Sequence, residues 1–246
     1  MFDLIIRNGK IVNGTGNPWF FGDVGISKGR ISKIGNLASA DGKKLLDAKS
    51  LVISPGFIDL HSHAEQYLLN NPSGEAKVRQ GVTTDVVGNC GMSFAPVKQE
   101  DIRQLEFCNN GIFDIAPIEP LSIEEYLRRF ERNFGLNVCC LISHSPVRVW
   151  SMGVDERHST FAELAEMKEV VRAGMECGAY GFSSGLGYFP TIYSSTEEVI
   201  ELCKVAAEYN GIFSLHARNW RDEFMDSLEE AKRIGKEANI PVEFSH

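Results

Sequence analysis

Five of the six histidines in this 246-residue chain stand at or just after the end of a short apolar run. Residues 51–60 lead into His61-Ser62-His63, 138–142 into Ser143-His144, 212–215 into His216, and 241–244 into Ser245-His246. Two further runs end differently. Residues 82–87 run into Gly88-Asn89-Cys90-Gly91, and 179–183 into Ser184-Gly185-Leu186-Gly187. Short apolar runs bounded by glycine, asparagine and serine read as buried strands. Helical patterns fill the gaps between them. Ser122-x-x-Glu125, Thr160-x-x-Glu163 and Ser195-x-x-Glu198 are capping-box signatures. Gly178 and Gly211 stand where helices should stop, and a last helix is expected over 222–239. The last three runs begin at 179, 212 and 241, about 30 residues apart, which is the length of a βα unit. Alternating strand and helix implies a parallel sheet. Closed into a barrel, such a sheet brings its strand ends to one rim, where active sites form.

The first fifty residues follow a different grammar. Residues 4–7, Asn8-Gly9 and 10–12 predict a hairpin with a tight two-residue turn. Residues 23–26, the Ser27-Lys28-Gly29 turn and 30–34 predict a second, and 45–48 a further short strand. The expected organisation is a small antiparallel β unit over 1–50 and an α/β domain over 51–246.

Composition limits the partners. With 25 basic against 33 acidic residues the net charge is −8, which disfavours nucleic acid or an anionic membrane. No apolar stretch nears the ~18 residues of a membrane-spanning helix, and the N-terminus lacks the features of a signal peptide. Cysteines 90, 108, 139, 140, 177 and 203 form no CxxC pair and no compact disulfide framework. They read as reduced thiols, and the expected location is cytoplasmic.

The strand ends carry chemistry. His61 and His63, at i and i+2, face the same side of a strand, so both imidazoles can face one ion. Alone, an HxH is a weak motif; here it follows an apolar strand suited to a barrel interior. Cys90 is either a buried thiol in a turn or a thiolate ligand, and its place at the rim favours the ligand. Thiolate with imidazole favours zinc over hard ions. With His216 and His246 the set offers five ligands, enough for one zinc with capacity to spare or for two metals. His144 is either a substrate contact or a structural residue beneath the site. Tyr188 either donates to an oxyanion or packs. Arg218 either holds a substrate carboxylate or forms a rim salt bridge. His158 reads as a surface residue. No phosphate-binding loop is present.

Several stretches together resemble the D-aminoacylases (N-acyl-D-amino-acid deacylases) of the metal-dependent amidohydrolase superfamily. They are DLIIRNGKIVNGTG from Asp3, PGFIDLHSH from Pro55, GVTTDVVGNCGMSFAP from Gly81, AYGFSSGL from Ala179, LHAR from Leu215 and FSH from Phe244. The resemblance spans essentially the whole chain in order, and the GNCG segment is its most specific part. It implies a (β/α)8 TIM barrel with a small N-terminal β-sandwich portion. It implies that Cys90, His216 and His246 hold the tighter zinc, with His61 and His63 at a second, weaker metal position. The implied reaction is hydrolysis of the amide bond of a small N-acyl-D-amino acid. Its general base would be an aspartate at the eighth barrel strand, which no residue here supplies; Asp59 is expected to support the ligands instead. Hydantoinase-like relatives use a carboxylated lysine on the fourth strand, where this chain has Ala179-Tyr180-Gly181-Phe182-Ser183-Ser184.

Only about six of eight barrel strands are counted, and two further βα units would need about 60 residues. The expectation is therefore a catalytic unit completed by C-terminal segments or by a complementary chain. The alternatives are a cyclic-amide hydrolase of the hydantoinase or dihydroorotase kind, and a non-catalytic subunit or fragment.

Overall fold

The computed structural model describes residues 1–109 and 118–246. The chain divides into two compact units, Met1–Phe57 and Ile58–His246.

The first unit is a five-stranded sheet: β1 (Phe2–Ile11), β2 (Phe20–Ser27), β3 (Arg30–Gly35), β4 (Gly42–Asp47) and β5 (Val52–Ile53). Its order is β3-β2-β1-β4, with β5 also paired to β1. The sheet is mixed rather than antiparallel, because β4 and β5 both run parallel to β1. The β2–β3 hairpin forms as expected, with Lys28 and Gly29 both left-handed at its tip. Asn8-Gly9 does not make a turn. β1 passes straight through it, and the register against β2 shifts between Ile6 and Gly9. Asn8 takes the left-handed conformation at φ 62° and its amide donates to Asp23 Oδ1 at 2.9 Å, so the dipeptide builds a bulge.

The run over 51–60 also splits. Lys10 pairs with Val52 and Ile11 with Ile53, so the first part of the run completes this sheet. That pairing moves the boundary between the units to Phe57, beyond the expected residue 50. Pro55-Gly56 separates β5 from β6 (Phe57–Asp59), the first strand of the second sheet. Proline offers no N–H to a ladder, so a strand interrupted there is the natural outcome.

The second unit holds a six-stranded sheet in sequential order: β6, β7 (Val82–Val87), β8 (Asn137–Ser143), β9 (Gly181–Gly185), β10 (Ile212–His216) and β11 (Val242–Phe244). Every registered pair from β7 to β11 is parallel. The connecting helices are α1 (Glu65–Asn70), α2 (Glu75–Val78), α3 (Ile102–Cys108), α4 (Ile123–Arg128), α5 (His144–Met152), α6 (Phe161–Glu176), α7 (Thr196–Glu208) and α8 (Phe224–Ala238). The capping boxes of α4 and α6 are complete. At α7 the Ser195 side chain caps the Glu198 amide, but Glu198 turns its carboxylate elsewhere.

Strand alternation sorts the side chains. Phe182 and Phe213 on neighbouring strands stack with centroids 5.9 Å apart, in a core shared with Met167, Val171, Leu202 and Ile234 from the helices. Burying each such phenyl contributes roughly 2–3 kcal/mol. The intervening residues Ser183, Ser214 and Glu243 turn the other way. They meet the 88–91 segment or its neighbours through hydrogen bonds.

Candidate metal centre

Cys90 is placed by backbone conformations that few residues tolerate. Gly88 (φ 82°), Cys90 (φ 54°) and Gly91 (φ 67°) are all left-handed. A Cβ on Gly88 would collide with the carbonyl of Leu141, and one on Gly91 would press on the backbone of Ser184 and Gly185. Glycine at both positions lets β7 end flush against β8 and β9. Side chains then clamp the turn. Glu65 Oε1 accepts the Gly88 amide at 2.5 Å, and Ser143 Oγ donates to the Gly88 carbonyl at 2.9 Å. Ser183 donates to the same carbonyl, while its oxygen accepts the Gly91 amide at 3.1 Å. Asn89 Nδ2 donates to the Val86 carbonyl at 2.9 Å and its Oδ1 accepts from Ser214 at 2.8 Å.

The buried thiol sits among imidazoles. Cys90 Sγ lies 3.3 Å from His61 Nε2, 3.6 Å from His246 Nε2 and 3.9 Å from His216 Nδ1. The ligand atoms of His61, Cys90 and His246 all fall within 4.8 Å of one another. The resemblance grouped Cys90 with His216 and His246; in this geometry His61 is the imidazole nearest the sulfur, and His216 stands slightly outside. The His63 ring lies 5.5 Å from that of His61.

The donors suit a metal. Burial, with neighbouring imidazoles, lowers His63 and His216 to about 4, and holds His61 down as well. These rings are neutral at pH 7 and offer lone pairs. Burial pushes the Cys90 thiol up to about 12, a cost that a bound cation removes by stabilising the thiolate. Sulfur and imidazole nitrogen, converging here from several strand ends, are the donor types that zinc sites use.

His61 is oriented from behind. Ser245 Oγ donates to Glu243 Oε2 at 2.7 Å, so toward His61 Nδ1, 2.9 Å away, it accepts. Nδ1 therefore carries the hydrogen and Nε2 turns its lone pair toward Cys90. Asp59 accepts the His61 amide at 3.2 Å and the Lys77 ammonium at 2.6 Å. Lys77 also reaches Ser62 Oγ at 2.9 Å and the enclosed Asp85 at 3.1 Å, which ties the HxH segment to β7. Ser245, Glu243, Lys77 and Trp220 were not singled out in the sequence. Ser245 and Glu243 had a readable signal, standing one and three residues before His246 at strand spacing. Lys77 and Trp220 had none, because a short helix, α2, brings in the first and the loop after β10 the second.

The three expected substrate contacts occupy different positions. The Tyr188 hydroxyl lies 3.4 Å from His216 Nδ1, at the centre. Arg218 is already engaged: Nε and Nη2 form a fork on Glu230 at 3.0 and 2.8 Å, and the guanidinium also caps the carbonyls of Ile192 and Ser194. His144 is wholly enclosed. Burial lowers its pKa, so the neutral ring donates from Nε2 to Glu198 at 3.0 Å and accepts Ser184 Oγ at Nδ1, 2.9 Å away. Arg148 completes that network with Nη1 at 2.7 and 2.8 Å from the Glu198 oxygens. His158 is exposed.

Comparison with known proteins fits this centre. No family model matches the chain. The D-aminoacylase of Alcaligenes xylosoxydans xylosoxydans is 35% identical over 256 residues, a match covering 100% of this chain and 50% of the relative. The chain is homologous to the N-terminal portion of the D-aminoacylases. A solved D-aminoacylase studied for its binuclear metal centre superposes with a TM-score of 0.91 at 33% identity, covering 100% of this chain and 52% of that one. An N-acyl-D-glutamate deacylase from Bordetella bronchiseptica, complexed with zinc and a phosphonate inhibitor, gives 0.87 at 32% identity over 98% of this chain and 50% of its own. The chain thus spans about half the length of the relatives it matches, and its parallel sheet is the corresponding part of their barrel. The L-hydantoinase of Arthrobacter aurescens shares the fold alone, at 17% identity and a TM-score of 0.64. In this D-aminoacylase relative, β9 carries no lysine.

Proposed function

We propose that this chain carries the metal-binding half of a zinc-dependent hydrolase acting on the linear amide bond of N-acyl-D-amino acids. The observation that carries the reading is the thiol at a left-handed turn, ringed by His61, His246 and His216 at the ends of parallel strands. His61, Cys90 and His246 form the principal ligand set, with His216 beside it and His63 toward a second, weaker position. Bound there, zinc would supply Lewis-acid polarisation of the scissile carbonyl.

The chain's own residues shape the rest. Ser245 and Glu243 orient His61, and the Lys77–Asp59 pair fixes the backbone on which His61 and His63 ride. The Tyr188 hydroxyl is placed to donate to oxygen charge that develops during acyl transfer. Arg218 and His144 act as positioning groups, since Glu230 and Glu198 already hold them. The general base that takes a proton from water, and the remaining strands, are assigned to the part of the relatives' length that this chain does not span. No helix among the described residues is long and apolar enough to cross a membrane, and all six cysteines are unpaired. The unpaired thiols support a cytoplasmic setting.

The test is metal analysis with an assay on the completed protein. About one zinc per chain and hydrolysis of N-acetyl-D-amino acids are expected, and Cys90→Ala should abolish both. Turnover of cyclic ureides without turnover of open N-acyl amino acids would overturn the substrate class. Full activity after exhaustive chelation would overturn the metal centre.

A further inference from the structure

The imidazoles on either side of Cys90 are held by opposite kinds of partner. His61 gives its Nδ1 hydrogen to Ser245, which leaves the Nε2 lone pair facing the sulfur. His216 is held the other way. The indole Nε1 of Trp220 lies 3.0 Å from His216 Nε2. An indole N–H can only donate, so Nε2 must offer its lone pair. A neutral imidazole has one lone pair and one N–H. The hydrogen therefore sits on Nδ1, the nitrogen that faces Cys90 Sγ at 3.9 Å and the Tyr188 oxygen at 3.4 Å.

Neither nitrogen of His216 can bind a metal while this contact lasts. Ligation through Nδ1 moves the hydrogen to Nε2, where it meets the indole N–H, donor against donor. Ligation through Nε2 uses the lone pair that the indole occupies. Trp220 is held in its present place by stacking on Phe224, with centroids 5.8 Å apart, and by edge contact with Phe244 at 5.6 Å. It also lies against His246, at 5.9 Å.

We propose that Trp220 competes with the metal ion for His216, so that engaging this histidine requires the indole to release it. The inference rests on the metal-centre reading above. Trp220 is here a positioning residue: it selects the tautomer of a ligand and thereby sets how readily the fourth protein donor joins His61, Cys90 and His246.

The experiment is a zinc titration of the full chain and of Trp220→Phe, with affinity read by competition with a chromophoric chelator and indole emission followed in parallel. Phenylalanine keeps the packing on Phe224 and Phe244 but has no donor. Trp220→Phe should bind zinc about fivefold more tightly, the worth of one ordinary hydrogen bond. The zinc-dependent change in emission should be present in the parent chain and lost in the variant, where Trp19 and Trp150 remain. Equal or weaker binding by Trp220→Phe overturns the competition while leaving the metal centre intact. Failure of both chains to bind zinc overturns the metal centre and this inference together. A second readout needs no variant. Long-range 1H–15N NMR of His216 should show the hydrogen on Nδ1 without zinc and on Nε2 with it. An Nε2–H tautomer already present before zinc is added overturns the proposal.

Discussion

Ser245 Oγ accepts the Nδ1 hydrogen of His61 at 2.9 Å, and the same hydroxyl donates to Glu243 at 2.7 Å. A serine one residue from His246, past the end of β11, thus sets the tautomer of His61, which follows β6. Partners of this kind typically change metal affinity by about 10–100-fold. Ser245→Ala should therefore weaken zinc binding about tenfold, and Ser245→Thr should restore most of it. Chelator competition measures both, and an Ala variant with parent affinity would remove Ser245 from the site.

Gly88 permits the turn that presents Cys90. An alanine there must adopt φ 82° and drive its Cβ into the Leu141 carbonyl. Gly88→Ala should cost about 3 kcal/mol or more in denaturant unfolding and should reduce bound zinc. Retention of zinc at the parent level would show that the turn can shift without moving the thiol.

Lys77 joins two carboxylates beneath the HxH segment. Burial works against its charge, yet the hydrogen bonds it donates to Asp59 and Asp85 hold its pKa above the usual lysine range. Burial already raises Asp85 despite this partner. Lys77→Met leaves Asp85 enclosed without its cation, so that carboxyl rises further above its unfolded value. Such a group destabilises the fold increasingly as pH rises past its unfolded pKa of 3.8. The variant should lose about 2 kcal/mol at pH 7, and less at pH 5. Urea midpoints at the two pH values test this, and a deficit that grows toward acid would contradict it.

Glu198 shows the reverse dependence. Burial alone would raise it, but the His144 hydrogen bond and the Arg148 charge hold it down to about 2, below its ordinary 4.5. Its stabilising contribution is complete above about pH 4.5 and is lost as pH falls toward 2. Glu198→Gln should cost on the order of 3–4 kcal/mol at pH 7 by stranding Arg148. The gap to the parent should close in acid. A gap constant from pH 7 to pH 3 would remove the carboxylate charge as its cause.

The parallel strands were legible in sequence because each is an apolar run ending in a polar residue with chemistry, and all lie in chain order. The positions of the candidate ligands were legible for the same reason: a strand end needs only its own run to be located. What sequence could not show was pairing at a distance. Nothing local distinguishes Asn8-Gly9 as a bulge from Asn8-Gly9 as a turn; β2 running past both sides decides it. Likewise Val52–Ile53 reads as part of the next strand until β1 claims it. Arg218 was recognised as a bidentate donor, but its partner is Glu230 on α8, twelve residues on and across a loop. Trp220 lies four residues past His216, a spacing that means contact only if the chain turns back there.

Cys90 occupies a backbone shape that L-residues other than glycine, asparagine and aspartate seldom adopt, at roughly 1–2 kcal/mol. Drift at this codon toward glycine or asparagine would therefore be rewarded by a sturdier fold and punished by a lost sulfur. A population of such proteins screened for thermal endurance alone would discard its thiol first.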